Sequence, residues 1–330
     1  MLLLGSLGDS FTAFFNAVGS FFDSLAAIHW LSLFFALLAF GIYLSLRARA
    51  SYNILRAAYP DEQIQFRYIW GAYFAGYGFN AVVPARGGDV IRLFLTKSSI
   101  PNSSYPAVAS SFSVELIFDL CMAVPILAFA FSQGAFPKPP DFSKLPAFDL
   151  AFFASHPRFG LFVLTVLGIA TLVAFALLSA KVRAFWGRVR QGVTIVFDRR
   201  RYFREVFAVQ FVGWLFRFTA FFFLLEAFNV GGSVRNVLLV LGVNAVAALV
   251  PFTPGGAGVQ QALLVKVFSG TATGATVAAY SVGQQIAIAA FTFGVGFAAL
   301  VWVFRIRSFK EVIAQGRAAR SAEEAAEPAA

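Results

Sequence analysis

The sequence predicts an all-α polytopic membrane protein, built as an inverted-topology repeat of span, re-entrant hairpin and span. The first observation is composition: the 330 residues are 59% hydrophobic and only 13% charged, with a mean hydropathy of +0.76. Soluble domains carry about 25% charged residues. The second is a pair of apolar segments that each contain Asn-Ala-Val, then Val-Pro, then Gly-Gly. The third is the uneven distribution of the basic residues along the chain.

Residues 1–27 are predicted to form an amphipathic helix on the membrane surface. Leu7, Phe11 and Phe14 belong to an apolar set at helical spacing, and polar residues fall largely on the opposite side. A sixth span over the same residues is the alternative. No basic region precedes the apolar residues, so we expect no cleaved signal peptide.

Five further segments are apolar over a length that can cross about 30 Å of hydrocarbon, which needs roughly 20 helical residues. They lie near His29–Leu46, Tyr105–Phe131, Gly160–Ala180, Glu205–Phe228 and Val277–Phe304. The two interrupted segments, about Arg67–Ser98 and Gly232–Ser269, have arms too short to cross. Proline removes a backbone donor and glycine removes side-chain restraint, so a helix stops at each break. We therefore predict that both segments are re-entrant hairpins.

The basic residues predict the orientation, because cytoplasmic loops are enriched in Lys and Arg. Most of them lie in 47–67, which includes Arg47, in 181–204 and in 305–320, whereas the Pro-rich loop 133–159 has few. We therefore expect a protein of the cytoplasmic (inner) membrane with a cytoplasmic C-terminus. Because each span takes the chain to the other side of the membrane, this orientation predicts that the two hairpins enter from opposite faces.

The predicted organisation follows from that count. Repeat one covers about 29–132, a connecting span covers 160–180, and repeat two covers about 205–304. The tail 306–330 is predicted to be basic at first and then disordered. Inverted repeats of this kind place transport sites near the middle of the bilayer.

The first hairpin carries the ionisable residues Arg86, Asp89 and Arg92. Ionisable groups in membrane segments are costly and usually functional or paired. A helix that begins at Gly87-Gly88 would offer free N–H groups and a positive dipole end, and with Arg86 it would suit a phosphate. Asp89 and Arg92 are three residues apart and can pair on one helix face. The alternative is that all three anchor the hairpin at the interface.

Glu115 and Asp119 lie four residues apart, on one face of the following span. Two carboxylates in a membrane need cations or protons. Arg217, near the middle of the fourth span, is one candidate partner, and Arg86 and Arg92 are others. The pair either belongs to an ion-pair network that joins the two halves or acts directly in substrate or proton coupling.

The second hairpin is uncharged at its break, where backbone amides could bind an anion without a side chain. The polar or flexible residues in and near it are Gly255, Gly256, Gly258, Gln260, Gln261, Gln284 and Gln285. Gln284 and Gln285 lie in the last span, near the position that matches the carboxylates of repeat one. These glutamines either line a cavity or join helices by hydrogen bonds.

Several kinds of chemistry are not supported by the sequence. His29 and His156 are the only histidines, and with Cys121 they form no metal-ligand pattern. There is no Gly-Lys-Ser/Thr phosphate loop and no Ser-His-Asp arrangement. We therefore expect no enzymatic activity, no cofactor and no nucleic-acid partner.

Three motifs resemble the lysylphosphatidylglycerol synthase transmembrane-region family, also called flippase-like domain proteins. They are Asn80 followed by Pro84-Ala85-Arg86-Gly87-Gly88-Asp89 and Arg92, then Glu115 with Asp119, then Pro251-Phe252-Thr253-Pro254-Gly255-Gly256-Ala257-Gly258. The resemblance covers about residues 28–305, which it identifies as a flippase-like transmembrane domain. Leu116 stands where the family often has Arg, so any ion pair needs an arginine from elsewhere. Gln260-Gln261 replaces a frequent Arg-Glu, and we expect no aminoacyl-transferase domain.

The resemblance implies a transporter that moves a polar-headed, phosphate-bearing lipid or polyprenyl lipid between leaflets. The predicted headgroup-binding residues are Asn80, Arg86, Gly87, Gly88, Arg92, Arg217, Gly255, Gly256, Gly258 and Gln260. The predicted coupling or ion-pair residues are Asp89, Glu115, Asp119 and Gln284. The alternatives are an accessory protein that presents lipid to an enzyme of envelope-lipid synthesis, and a transporter of a small metabolite or ion.

Overall fold

The computed structural model describes residues 27–81, 87–134, 185–247 and 259–305, and these contain helices but no strand. The helices are α1 (Trp30–Ala58), α2 (Phe66–Asn80), α3 (Gly87–Ser98), α4 (Tyr105–Ser132), α5 (Arg199–Ala227), α6 (Val234–Ala247), α7 (Val259–Phe268) and α8 (Gly274–Trp302). The predicted surface helix, residues 82–86 of the first hairpin break, the second break, the connecting span at 160–180 and the tail lie outside the described residues.

Four of the helices, α1, α4, α5 and α8, are long and apolar enough to cross a membrane. They confirm four of the five predicted spans. Helix α1 differs from its prediction, because it continues to Ala58 rather than ending near Leu46. The residues beyond the apolar run are held in the helix by packing against other helices. Arg47 is therefore part of this helix and only 7% exposed, although the predicted span ends before it.

The short helices lie where the sequence predicts the hairpin arms. Helices α2 and α3 have 15 and 12 residues, and α6 and α7 have 14 and 10. At about 1.5 Å per residue, none of them reaches across about 30 Å of hydrocarbon. Entry of each pair from one face of a membrane, and from opposite faces for the two pairs, stays a prediction.

The helices pack as two similar sets, α1–α4 and α5–α8. Helix α1 lies antiparallel to α5: the His29 amide donates to the Ala227 carbonyl at 2.9 Å, and Asn53 donates to the Glu205 carbonyl at 2.8 Å. Each first hairpin arm packs on the last long helix of the other set, so α2 contacts α8 and α6 contacts α4. The two sets thus match in both helix lengths and neighbours.

Glycines permit the closest helix contacts. A Cβ atom on Gly78 of α2 would lie 2.6 Å from the Thr292 carbonyl oxygen of α8, and one on Gly296 would lie 2.7 Å from the Phe74 carbonyl oxygen. Small residues allow this approach between membrane helices, where no water is present to drive apolar association. The main apolar core between the sets includes Phe40, Phe228 and Tyr280.

Candidate functional site

An ion-pair network joins all four helices of the first set. Arg47 of α1 binds Asp119 of α4 with two hydrogen bonds, from Nη1 to Oδ1 at 2.5 Å and from Nη2 to Oδ2 at 2.9 Å. Its Nη2 also lies 3.2 Å from Oε2 of Glu115, and its Nε donates to the Tyr73 hydroxyl of α2 at 2.7 Å. Paired guanidinium–carboxylate bonds of this kind fix both distance and orientation.

Arg92 of α3 completes the network from the other side of Glu115. Its Nη2 donates to Oε1 of Glu115 and to the Ser51 hydroxyl, the latter at 2.9 Å. Its guanidinium lies 4.0 Å from the ring centroids of both Tyr73 and Phe112. The cation is therefore held by one carboxylate and by two aromatic faces.

The network is balanced in charge but not uniformly buried. Two arginines face two carboxylates, and the side-chain exposures of Arg47, Arg92 and Glu115 are 9%, 12% and 4%. The Asp119 side chain is 34% exposed. Glu115 is thus the buried centre of the network, and Asp119 is its most exposed member.

Of the pairings that the sequence left open, the structure forms Arg92–Glu115, and two others are not formed. Arg92 pairs with Glu115 and not with Asp89, whose Oδ1 accepts from Asn80 Nδ2 at 2.8 Å and so links the two hairpin arms. Arg217 is not the partner of the carboxylates, because Arg47 occupies that place. Arg92 reaches Glu115 because α3 packs against α4, whereas Arg217 lies among two rings of its own helix, Trp214 and Phe221, and Tyr43 of α1.

Arg47 was missed as a site residue because it follows the apolar run of α1. A signal for its burial exists in the sequence. Tyr43, Arg47 and Ser51 are spaced by four residues and so share one helix face. All three are buried, with exposures of 5%, 7% and 2%.

Arg217 lies in the interior of α5 among aromatic rings. Its guanidinium carbon is 5.0 Å from the Trp214 ring centroid, 5.7 Å from that of Tyr43 and 5.9 Å from that of Phe221. No Asp or Glu in the described part of the chain forms an ion pair with it. Arg47 and Arg92 have carboxylate partners, so Arg217 differs from both.

The second set has amides where the first has charges. Gln260 of α7 donates to Asn244 Oδ1 of α6 at 2.7 Å, and Gln261 donates to Gln285 Oε1 of α8 at 2.9 Å. Gln285 also donates to Gln260. These bonds agree with the interpretation that the glutamines join helices. Gln284 does not take part in them: it is 1% exposed, and neither of its amide atoms has a partner among the described residues.

The glycines predicted at the site divide into two groups. Helix α3 begins at Gly87, and Gly88 is buried against α2, where an added Cβ would lie 2.0 Å from the Gly76 carbonyl oxygen. Gly255, Gly256 and Gly258 lie outside the described residues, as does Arg86. Within the described ranges, no group of three or more His, Cys, Asp or Glu could hold a metal ion.

A comparison with protein families matches residues 9–296 to the lysylphosphatidylglycerol synthase transmembrane region. The chain belongs to this family. The ion-pair network, Arg217 and the amide residues all lie within this matched range. Together with the four spanning helices, the match identifies an integral membrane protein. No curated protein and no solved structure matches the chain.

Proposed function

We propose that this protein is a transporter, not an enzyme, that moves an anionic, polar-headed lipid between the leaflets of the cytoplasmic membrane. The observation that carries the proposal is Arg217, a cation inside a spanning helix without a carboxylate partner in the described chain. The headgroup of the lipid, with a phosphate as the simplest case, would supply the missing negative charge.

The position of Arg217 makes an absent counter-ion costly. It lies ten residues before the end of α5 at Ala227, or about 15 Å along the helix axis. An arginine at the centre of a spanning helix costs about 2.5–3.5 kcal/mol on insertion scales, and such residues usually mark substrate or ion paths. Contacts with aromatic rings compensate for part of this cost. A bound anion would compensate for the rest and would be held in place by the same charge.

The two matched helix sets support movement of the bound headgroup across the membrane. Sets of helices in opposite orientation can rock against each other around a site near the midplane, which exposes that site to each side in turn. The antiparallel contact of α1 with α5 and the exchange of hairpin contacts between the sets agree with such a repeat. Exposed Phe34, Phe211 and Phe297 offer an apolar surface to the lipid chains.

The charge-balanced network of the first set would keep its four helices together during this movement. Asp119 is the most exposed member of the network, and its bonds to Arg47 can change without opening the buried pair of Arg92 and Glu115. Protonation of Asp119 would weaken its bonds to Arg47. We therefore assign Glu115 a structural role and Asp119 the coupling role.

We expect Arg217→Gln to slow the translocation of a fluorescent phosphatidic acid at least tenfold in reconstituted vesicles, measured by loss of signal to an impermeant quencher. A tenfold loss corresponds to about 1.4 kcal/mol, which is within the range of a single charge-assisted hydrogen bond. Arg217→Lys keeps the charge and should retain more of the rate.

The matched control is Arg201→Gln, which removes an arginine from the exposed end of the same helix. Its bond to Glu205 is a surface ion pair worth about 0–1 kcal/mol, so the rate should remain near that of the wild type. Equal rates for Arg217→Gln and the wild type would contradict the role of Arg217. Lipid binding without any translocation by the wild type would contradict transport and favour the accessory protein.

A further inference from the structure

Helix α8 carries two buried polar side chains that lack partners. Tyr280 and Gln284 are 0% and 1% exposed, and the Tyr280 hydroxyl and both amide atoms of Gln284 make no hydrogen bond within the described part of the chain. The two residues are four positions apart and therefore lie on one face of the helix. Buried polar groups are nearly always paired in native proteins, and an unpaired one costs about 1–3 kcal/mol.

The amide residues of the second set lie at the same level of α8. Gln285 follows Gln284 directly, and its bonds to Gln260 and Gln261 bring α7 to this point. Asn244 of α6 joins through Gln260. Each amide group offers both donors and an acceptor, and a hydroxyl group offers the same combination. The cluster therefore matches a hydroxyl-bearing ligand better than it matches an ion.

Helices α6–α8 of the second set have no carboxylate that could bind a positively charged headgroup. The sequence contains no Asp or Glu between Glu226 and Glu311. The first set differs at the matching position: Glu115 lies ten residues after the start of α4, and Gln284 lies ten residues after the start of α8. An ammonium group brought to Gln284 would be buried without a counter-ion, which is strongly unfavourable.

We propose that Tyr280, Gln284 and the neighbouring amides bind the uncharged, hydroxyl-bearing part of the lipid headgroup. The substrate class is then an anionic lipid whose headgroup is a polyol or sugar and carries no ammonium group. This inference rests on the proposed transport of an anionic lipid. Both side chains are buried in the present conformation, with the Phe228 ring 6.1 Å from the Tyr280 ring, so the headgroup reaches them only when the helices around this face of α8 separate.

Binding can be tested separately from transport by thermal unfolding of the full chain in detergent. The probes are phosphatidylinositol and phosphatidylethanol with the same acyl chains: both carry one negative charge, and only the first has hydroxyls on its headgroup. A ligand that binds the folded state raises the melting temperature in proportion to its affinity and concentration. We expect phosphatidylinositol to bind about tenfold more tightly, the ratio that one net hydrogen bond supplies.

The variants Gln284→Met and Tyr280→Phe remove the unpaired polar groups and keep the shape of the side chains. We expect each to reduce the preference for phosphatidylinositol to about twofold or less. Each should also raise the melting temperature of the lipid-free protein, because a buried polar group without a partner is replaced by an apolar one.

Gln210→Met is the matched control. Gln210 of α5 is also fully buried, with both amide atoms unpartnered among the described residues, but it lies outside the amide cluster. The control should gain stability and keep the tenfold preference. The proposal is overturned if the wild type binds both lipids equally, if Gln210→Met loses the preference as well, or if free myo-inositol alone gives the full shift. Binding preference without translocation would overturn the proposed transport and leave the headgroup site standing.

Discussion

Glu115→Ala is expected to lower the free energy of unfolding by about 3–5 kcal/mol, the range for removal of one partner from a buried ion pair. Glu115 is 3% exposed and lies between Arg47 and Arg92. Its loss leaves Arg92 with no carboxylate and leaves Arg47 with Asp119 alone. The result should be a large drop in the melting temperature of the detergent-solubilised protein, or loss of the monodisperse peak in size-exclusion chromatography.

The matched control for this prediction is Glu205→Ala. Glu205 pairs with Arg201 at 3.1 Å, but that pair is far more exposed than the network, with side-chain exposures of 38% for Arg201 and 27% for Glu205. Surface pairs contribute about 0–1 kcal/mol, so its melting temperature should change little. A Glu115→Ala protein as stable as Glu205→Ala would show that the network is not a structural link between the helices.

Gly88→Ala is expected to disrupt the first hairpin, because the added methyl group meets backbone atoms. The Cβ would lie 2.0 Å from the Gly76 carbonyl oxygen and 2.6 Å from the Asn80 amide nitrogen. Neither atom can move unless α2 and α3 separate, which would also draw Arg92 away from Glu115. Overpacking a tight contact costs about 1–3 kcal/mol and occasionally more, and we expect the upper end here. The measurement is again the melting temperature.

Gly294→Ala provides the control for this substitution within α8. Nothing lies within 4 Å of a Cβ atom at that position. Alanine in a helix interior is favoured over glycine by about 0.5–1 kcal/mol, so this variant should be slightly more stable than the wild type. If both variants melt above the wild type, the close contact between the hairpin arms is not required for folding.

The spans and hairpin arms were predictable because they depend on local sequence. Entry of a helix into a bilayer depends on about 20 consecutive residues, and a Pro or Gly break acts where it stands. Helix α3 accordingly begins at Gly87, and α4 matches its predicted span to within one residue at each end. The end of α1 was not predictable in this way, because its last turns are polar and are stabilised by contacts with other helices.

The partners of the charges were only partly predictable. The sequence indicated that Glu115 and Asp119 need cations and that Arg92 is one candidate. It also suggested Arg217, which lies among aromatic rings, and it placed Arg47 beyond the end of the first span. Choosing among arginines requires the rotation of each helix about its axis and the reach of each side chain. Neither follows from the hydropathy of one segment.

The sequence by itself determined the helical class, the places where helices break, and the contrast between a first hairpin with charges at its break and a second hairpin that is uncharged there. These depend on side-chain chemistry and on short stretches of chain. Only the tertiary structure decided that Arg47 meets Asp119 across 72 residues of sequence, and that Gln284 at the matching position meets no partner in the described chain. Pairing in a membrane depends on distance and direction between helices, and these are set by the packing of the whole bundle.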